Sequence, residues 1–171
     1  MRKLHIFVLF ILLCLPATAQ DINWLSFEEA VELNKTTPKK FLIDVYTDWC
    51  GYCKKMDKNT YDNKKIAALI NKDFYAIKLD AEQKDSIVYK GKVFKFMPRG
   101  RRGSHQLAID LLNGKMSYPS TIFLNKEENI LDRIPGYLEP TIMEKIVVFF
   151  GQEIYTHTSW EAFETSFESS L

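Results

Sequence analysis

Hydrophobic and polar positions alternate along this chain in short blocks whose period changes from one block to the next. Ser26-Phe27-Glu28-Glu29 reads as a capping box, with Ser26 as N-cap and Glu29 three residues on. The helix it opens runs to about Lys35, with Phe27, Ala30, Val31 and Leu33 apolar, and stops before Pro38. Phe41-Leu42-Ile43-Asp44-Val45-Tyr46 is an apolar run with one acid inside it, the pattern of a buried central strand. Residues 51–71 read as helix in two parts, broken between Asn59 and Asp62, with Ile66, Ala67, Leu69 and Ile70 on the buried face. Phe74 to Leu79 is the next strand. Ile87 to Phe96 reads as two short β segments around a Lys90-Gly91 turn, and Pro98 to Gly103 as an irregular loop. Ser104 is placed to cap a helix through Leu112, closed by Asn113-Gly114. Ser120–Leu124 and Ile130–Ile134 read as a hairpin around a polar turn, and Leu138–Phe150 as a helix with Pro140 in its first turn. A last short helix, Ser159 to about Phe167, would dock Trp160, Phe163 and Phe167. Strands interleaved with helices and closed by a hairpin predict an α/β layered fold with a mixed sheet.

The start of the chain follows a different rule. Arg2 and Lys3 precede an almost continuous apolar run, Leu4 to Leu15, and Ala17-Thr18-Ala19 fits a small-x-small cleavage site. Residues 1–19 therefore read as a secretory signal and residues 20–171 as one domain. The apolar run is about a dozen residues, too short for a stable span, so no membrane insertion is expected after cleavage near Ala19; an uncleaved anchor is the alternative. Of 23 basic and 22 acidic residues, loss of Arg2 and Lys3 leaves 21 against 22, a mature charge near −1. That balance gives no electrostatic reason to expect nucleic acid or an anionic membrane as partner. Export implies a periplasmic or secreted protein, in a compartment where disulfides persist.

This location changes the meaning of the cysteines. Cys14 falls in the leader, which leaves Cys50 and Cys53 in Trp49-Cys50-Gly51-Tyr52-Cys53-Lys54. So short a loop is a poor structural staple. At a helix N-terminus the unpaired amides and the dipole favour a thiolate, the reactive form of cysteine. Cys50 is expected to be the exposed attacking thiol, and Cys53, one turn in on the same face, the more buried resolving thiol. An inert disulfide is the alternative. A zinc half-site is the other, but His105 and His157 lack ligand spacing, and no metal is expected. Between Lys90 and Arg102 stand six basic residues and no acid, which reads either as a solvated loop or as a partner-docking arm.

Asp44-x5-Cys50-Gly51-Tyr52-Cys53-Lys54, followed by Tyr118-Pro119-Ser120-Thr121 before an apolar strand, resembles the thioredoxin superfamily over roughly residues 24 to 151. Within it the chain is most similar to exported thioredoxin-like proteins akin to the C-terminal thiol domain of the DsbD electron transporter. The resemblance implies a thioredoxin-like three-layer sandwich, a central mixed sheet flanked by helices, with an insertion before a cis-proline at Pro119. It implies that Tyr118 offers backbone groups to a bound substrate strand. It makes Asp44 the buried acid beneath the resolving cysteine, with a raised pKa suited to proton transfer, and Lys78 the lysine beside that acid. Trp49 would shield the site and, with Gly51 and Tyr52, face the substrate. Tyr52 stands where relatives carry proline or histidine and brings no positive charge, which favours a reductant over a strong oxidant. The implied function is a monomeric, exported protein thiol–disulfide oxidoreductase without organic cofactor. Its partners would be protein disulfides or dithiols and, for a reductase, a membrane electron donor. A disulfide oxidase or isomerase, or a non-enzymatic chaperone or adaptor, are the alternatives.

Overall fold

A computed structural model describes residues 21–171, so the expected leader and Cys14 lie outside the described residues. A two-residue strand, β1 (Trp24–Leu25), comes first; it is too short to leave a period in the sequence. In α1 (Phe27–Thr36) the capping box forms as expected: Ser26 Oγ accepts the Glu29 N–H at 3.2 Å, and Glu29 accepts the Ser26 N–H at 2.8 Å. Strand β2 (Lys40–Tyr46) leads to α2 (Gly51–Met56), which widens into a π-helical turn, Asp57–Tyr61. Helix α3 (Lys64–Asp73) restarts behind Asn63, whose side chain accepts the N–H groups of Lys65 and Ile66. The break expected near Asn59 to Asp62 is this π turn and the cap behind it. Strand β3 (Phe74–Asp80) follows.

The sheet is completed late in the chain by β8 (Ser120–Leu124) and β9 (Ile130–Pro135), after the insertion strands β4 (Ile87–Tyr89), β5 (Lys92–Phe94), β6 (Phe96–Arg99) and β7 (Arg102–His105) and helix α4 (Gln106–Leu111). Helix α5 (Pro140–Gly151), with its proline at the start, and α6 (Trp160–Ser166) end the fold. The strand order is β1-β3-β2-β8-β9; β1, β3 and β2 are parallel, and β8 and β9 run antiparallel to their neighbours. Alternation along β2 sorts the core. Phe41, Ile43 and Val45 pack with Phe27 and Ala30 of α1 and Leu107 and Ala108 of α4. Leu42 packs on the other face with Met56, Ile66, Ile70, Phe123 and Val147, beneath α2, α3 and α5. Asp44 shares the face of Leu42 by the two-residue period of a strand, so its carboxyl is carried under the helix that bears the cysteines. Helix α6 docks as anticipated, with Phe163 and Trp160 each 5.2 Å from the Phe149 ring. This is the α/β fold of the expected kind, a central mixed sheet between two helical layers.

The insertion departs from expectation in two places. Lys90 and Gly91 make the anticipated turn between β4 and β5, both with positive φ, as a two-residue hairpin of matching twist requires. Pro98 to Gly103, however, is not an irregular loop: β6 and β7 pair with Met97 opposite Ser104, Pro98 opposite Gly103 and Arg99 opposite Arg102. Proline and charge disguised this strand, but an edge strand tolerates both. Ser104 consequently lies in β7, and His105 takes the cap of α4, its Nδ1 accepting the Leu107 N–H at 3.3 Å.

Gly103 is the tightest point of this hairpin. A Cβ there would stand 2.3 Å from the Phe96 ring and 2.4 Å from the Met97 carbonyl oxygen, which is backbone and cannot swing aside. Gly103→Ala is expected to force β6 from β7, and trypsin, which cuts after arginine, should cleave at Arg99, Arg101 or Arg102 on the order of tenfold faster than in wild type. Equal cleavage rates would show that the hairpin absorbs the methyl group.

Candidate active site

Strand β2 ends one turn short of the cysteines, and the loop between them is tied by the Cys50 N–H donating to the Thr47 carbonyl at 3.1 Å. Cys50 is the N-cap of α2, in extended conformation, and its Sγ accepts the Cys53 N–H at 3.1 Å. The sulfur thus occupies the place of a capping oxygen, at the end of the helix where the backbone favours negative charge. Cys50 and Cys53 are joined in a disulfide, with Cα atoms 5.3 Å apart. The two sequence-predicted roles differ in exposure less than expected: Cys50 is 5% exposed and Cys53 2%. Cys50 is not an open thiol in this oxidised state, because its sulfur is turned over the helix start to Cys53. It keeps the larger exposure of the pair.

The rim of the site is aromatic. Trp49 is 53% exposed and Tyr52 64%, so Trp49 is a surface residue and not part of the core. Gly51 between them is exposed. The Tyr118–Pro119 bond is cis, as anticipated, and the Tyr118 ring meets Trp49 edge-on at 6.0 Å, which brings this loop against the cysteine motif. The Pro119 carbonyl is held by the Gly136 N–H at 2.8 Å. Tyr118 makes no backbone hydrogen bond among the described residues, so its N–H and C=O are left unpaired.

Behind α2 lies a charged cluster. Lys78 Nζ donates to Asp44 Oδ2 at 2.7 Å and also to Asp57. The ammonium sits over three rings, Trp24 at 4.9 Å, Tyr46 at 5.0 Å and Tyr61 at 5.3 Å, so its charge is shared between carboxylates and aromatic faces. Asp44 is 1% exposed, and its second oxygen, Oδ1, is buried without a hydrogen-bond partner. Burial raises the Asp44 pKa from 3.8 to about 6; the Lys78 charge pulls it down but does not win. Burial lowers the affinity of Lys78 for its proton, but Asp44 and Asp57 together reverse this and the net shift is upward. Burial, and then the Asp44 charge, push the Tyr61 hydroxyl well above its usual range. Thr121, opposite Asp44 across the β2–β8 pair, has its hydroxyl buried beside them.

Asp57 and Tyr61 were not singled out by sequence. Both come from the π turn, which rotates them toward β2 and β3, and such turns recur at functional sites. An acid seven residues after Cys50 was the available signal, but nothing local distinguishes it from a solvated helix charge.

Residues 27–151 match the family described as thioredoxin-like domain. The chain belongs to that family. Among solved structures, this thioredoxin-like domain is similar to a thioredoxin-fold protein from Helicobacter pylori, with a TM-score of 0.56 at 16% identity over 85% of this chain and 84% of that one. It is similar also to the DsbH oxidoreductase, TM-score 0.57 at 18% identity over 81% and 90% of the two chains. A disulphide-isomerase described as putative, from Bacteroides thetaiotaomicron, gives 0.51 at 23% identity over 74% and 89%. These likenesses establish the shared fold. An uncharacterized protein of Caenorhabditis elegans is 30% identical over 67 residues, 39% of this chain but only 9% of that protein's length. A Cys-x-x-Cys disulfide formed on a thioredoxin fold supports catalytic thiol–disulfide exchange, and Cys50–Cys53 is the redox-active site. Among the described residues no helix is long and apolar enough to cross a membrane.

Proposed function

We propose that this protein is an exported thiol–disulfide oxidoreductase that reduces disulfides in protein substrates, in the manner of thioredoxin-like proteins that resemble the C-terminal thiol domain of DsbD. The observation that carries the reading is the Cys50 sulfur capping α2 while the Asp44–Lys78 pair lies beneath the same helix. In the reducing direction the Cys50 thiolate attacks one sulfur of a substrate disulfide; that bond breaks, and the departing sulfur takes a proton. Cys53 then gives its proton to Asp44 and attacks Cys50 Sγ, which breaks the mixed disulfide and restores the Cys50–Cys53 bond; the second substrate sulfur leaves as a thiolate and takes the proton back from Asp44. Two electrons and two protons pass to the substrate, and an external dithiol, in this reading a membrane electron donor, must return them. Asp44 is suited to the transfer because its raised pKa puts it near the working pH and its Oδ1 is an open acceptor. Lys78 positions Asp44, and Trp49, Gly51, Tyr52, Tyr118 and Pro119 form the surface on which a substrate strand lies.

Export rests on the leader-like residues 1–19, and the reducing direction on Tyr52, which adds no positive charge between the cysteines to stabilise a thiolate. Equilibration of the purified protein with dithiol–disulfide buffers tests the direction. The expected potential lies nearer the roughly −270 mV of a thioredoxin than the roughly −120 mV of a strong periplasmic oxidant. A value at the oxidising end would replace reduction by oxidation as the physiological direction.

A further inference from the structure

The six basic residues of the insertion do not act as one patch. Lys90 pairs with Glu128 at 3.4 Å and Lys92 with Asp110 at 3.1 Å, so the first hairpin is neutralised within the fold. Arg99, Arg101 and Arg102, at the tip of the second hairpin, are exposed and have no ion-pair partner among the described residues. That tip is turned to the active site, because the Arg102 guanidinium lies 4.9 Å over the ring of Trp49, the residue before Cys50. Between hairpin and site runs an open groove of about 590 Å³ whose walls include Trp49, Met97, Arg99, Arg102, Met116 and Tyr118. Met97 and Met116 are 47% and 36% exposed, flexible apolar surface of the sort that accommodates varied side chains. One acid, Glu82, also lines the groove, but against Arg99 and Arg102 it leaves the walls net positive.

Resting on the exchange reading above, we propose that this groove is a substrate-docking site for an extended polypeptide segment that places acidic side chains against Arg99 and Arg102 and apolar ones on Met97 and Met116. Charge complementarity selects the occupant, since the two unpaired arginines on these walls outweigh the single acid, Glu82. The segment continues past Trp49 to the free backbone of Tyr118, which sets its cysteine beside Cys50. The arginines steer acidic partners to the site and exclude basic ones.

Docking can be read apart from chemistry with peptides in which serine replaces the reactive cysteine. Three are used, alike except for two flanking residues that are both Glu, both Gln or both Lys, and binding is followed by methionine-methyl NMR. Met97 and Met116 should shift on addition of the Glu peptide while the fully buried Met56 and Met143 stay in place. The Glu peptide should bind about 5- to 20-fold tighter than the Lys peptide at low salt, and the gap should close at about 0.5 M salt. The double substitution Arg99→Glu and Arg102→Glu should reverse the order. Three results overturn the proposal: unmoved Met97 and Met116, equal binding of the Glu and Lys peptides, or tighter binding of a single-stranded oligonucleotide than of the Glu peptide. Movement of the same methyls with protein concentration alone would assign the groove to a second copy and overturn it too. Reduction of neutral hydroxyethyl disulfide by the dithiol form of the wild type reports on exchange separately, so a failed docking site and a failed oxidoreductase give different patterns.

Discussion

Serine at position 50 is expected to lower the rate of insulin reduction with a recycling dithiol by about 10³-fold or more, to the background of the recycling reagent. A serine hydroxyl cannot ionise near neutral pH, so the capping position, with its favourable amide and dipole, holds a group that has no reactive anion to stabilise. The fold should survive, because serine is a good N-cap and can accept the same Cys53 N–H. Cys53→Ser should fail differently. Cys50 still attacks, but nothing resolves the adduct, and substrate remains bound through a mixed disulfide that non-reducing gels or mass spectrometry will show at up to one equivalent. Retained insulin reduction in Cys50→Ser would remove the proposed mechanism. Retained suppression of insulin aggregation without reduction would return the chaperone reading.

The parts of this design that were legible in sequence are those whose cause is local. The capping box at Ser26 and Glu29 forms because both partners lie within one turn. Asp44 announced itself as an acid inside an apolar strand, where burial without compensation is costly. Cys50 and Cys53 carry their spacing with them. Other features depend on residues far apart in the chain. Asp57 reads as an ordinary helix charge until the π turn carries it to Lys78, 21 residues away. Thr121 matters only through the register that sets it opposite Asp44. The contact of Arg102 with Trp49 requires that Pro98 to Gly103 be paired strand, and composition alone gave the opposite reading. The low exposure of Cys50 is likewise set by where its sulfur turns once bonded to Cys53, which no spacing rule states.

Asp44→Asn should stabilise the oxidised protein at pH 7.5 and change it little near pH 4, with a gain on the order of 3 kcal/mol at the upper limit. The sign follows from the raised pKa. The folded protein holds the Asp44 proton to about pH 6, whereas the unfolded chain releases it near the ordinary value of 3.8. Below that lower value both states are protonated and Asp44 costs nothing. As pH rises from about 4 to 6 the unfolded state ionises first, so stability falls; above 6 both states are ionised and the cost is constant. Asparagine keeps the shape of the protonated acid and never ionises, so its stability curve lacks this descent. Lys78 does not produce a slope in the same window, because its pKa is raised from 10.5 and its contribution is lost only as pH climbs past that range. Urea melts of both proteins at pH 4, 5.5 and 7.5 measure the difference, and parallel curves would mean that Asp44 is not held protonated by burial. Turnover should move the other way. Without a carboxylate to take the Cys53 proton, the resolving step should slow by about tenfold, and the rise in rate through pH 6 expected of wild type should disappear. A gain in stability coupled to loss of that pH dependence is the signature of an acid kept buried for its chemistry and not for the fold.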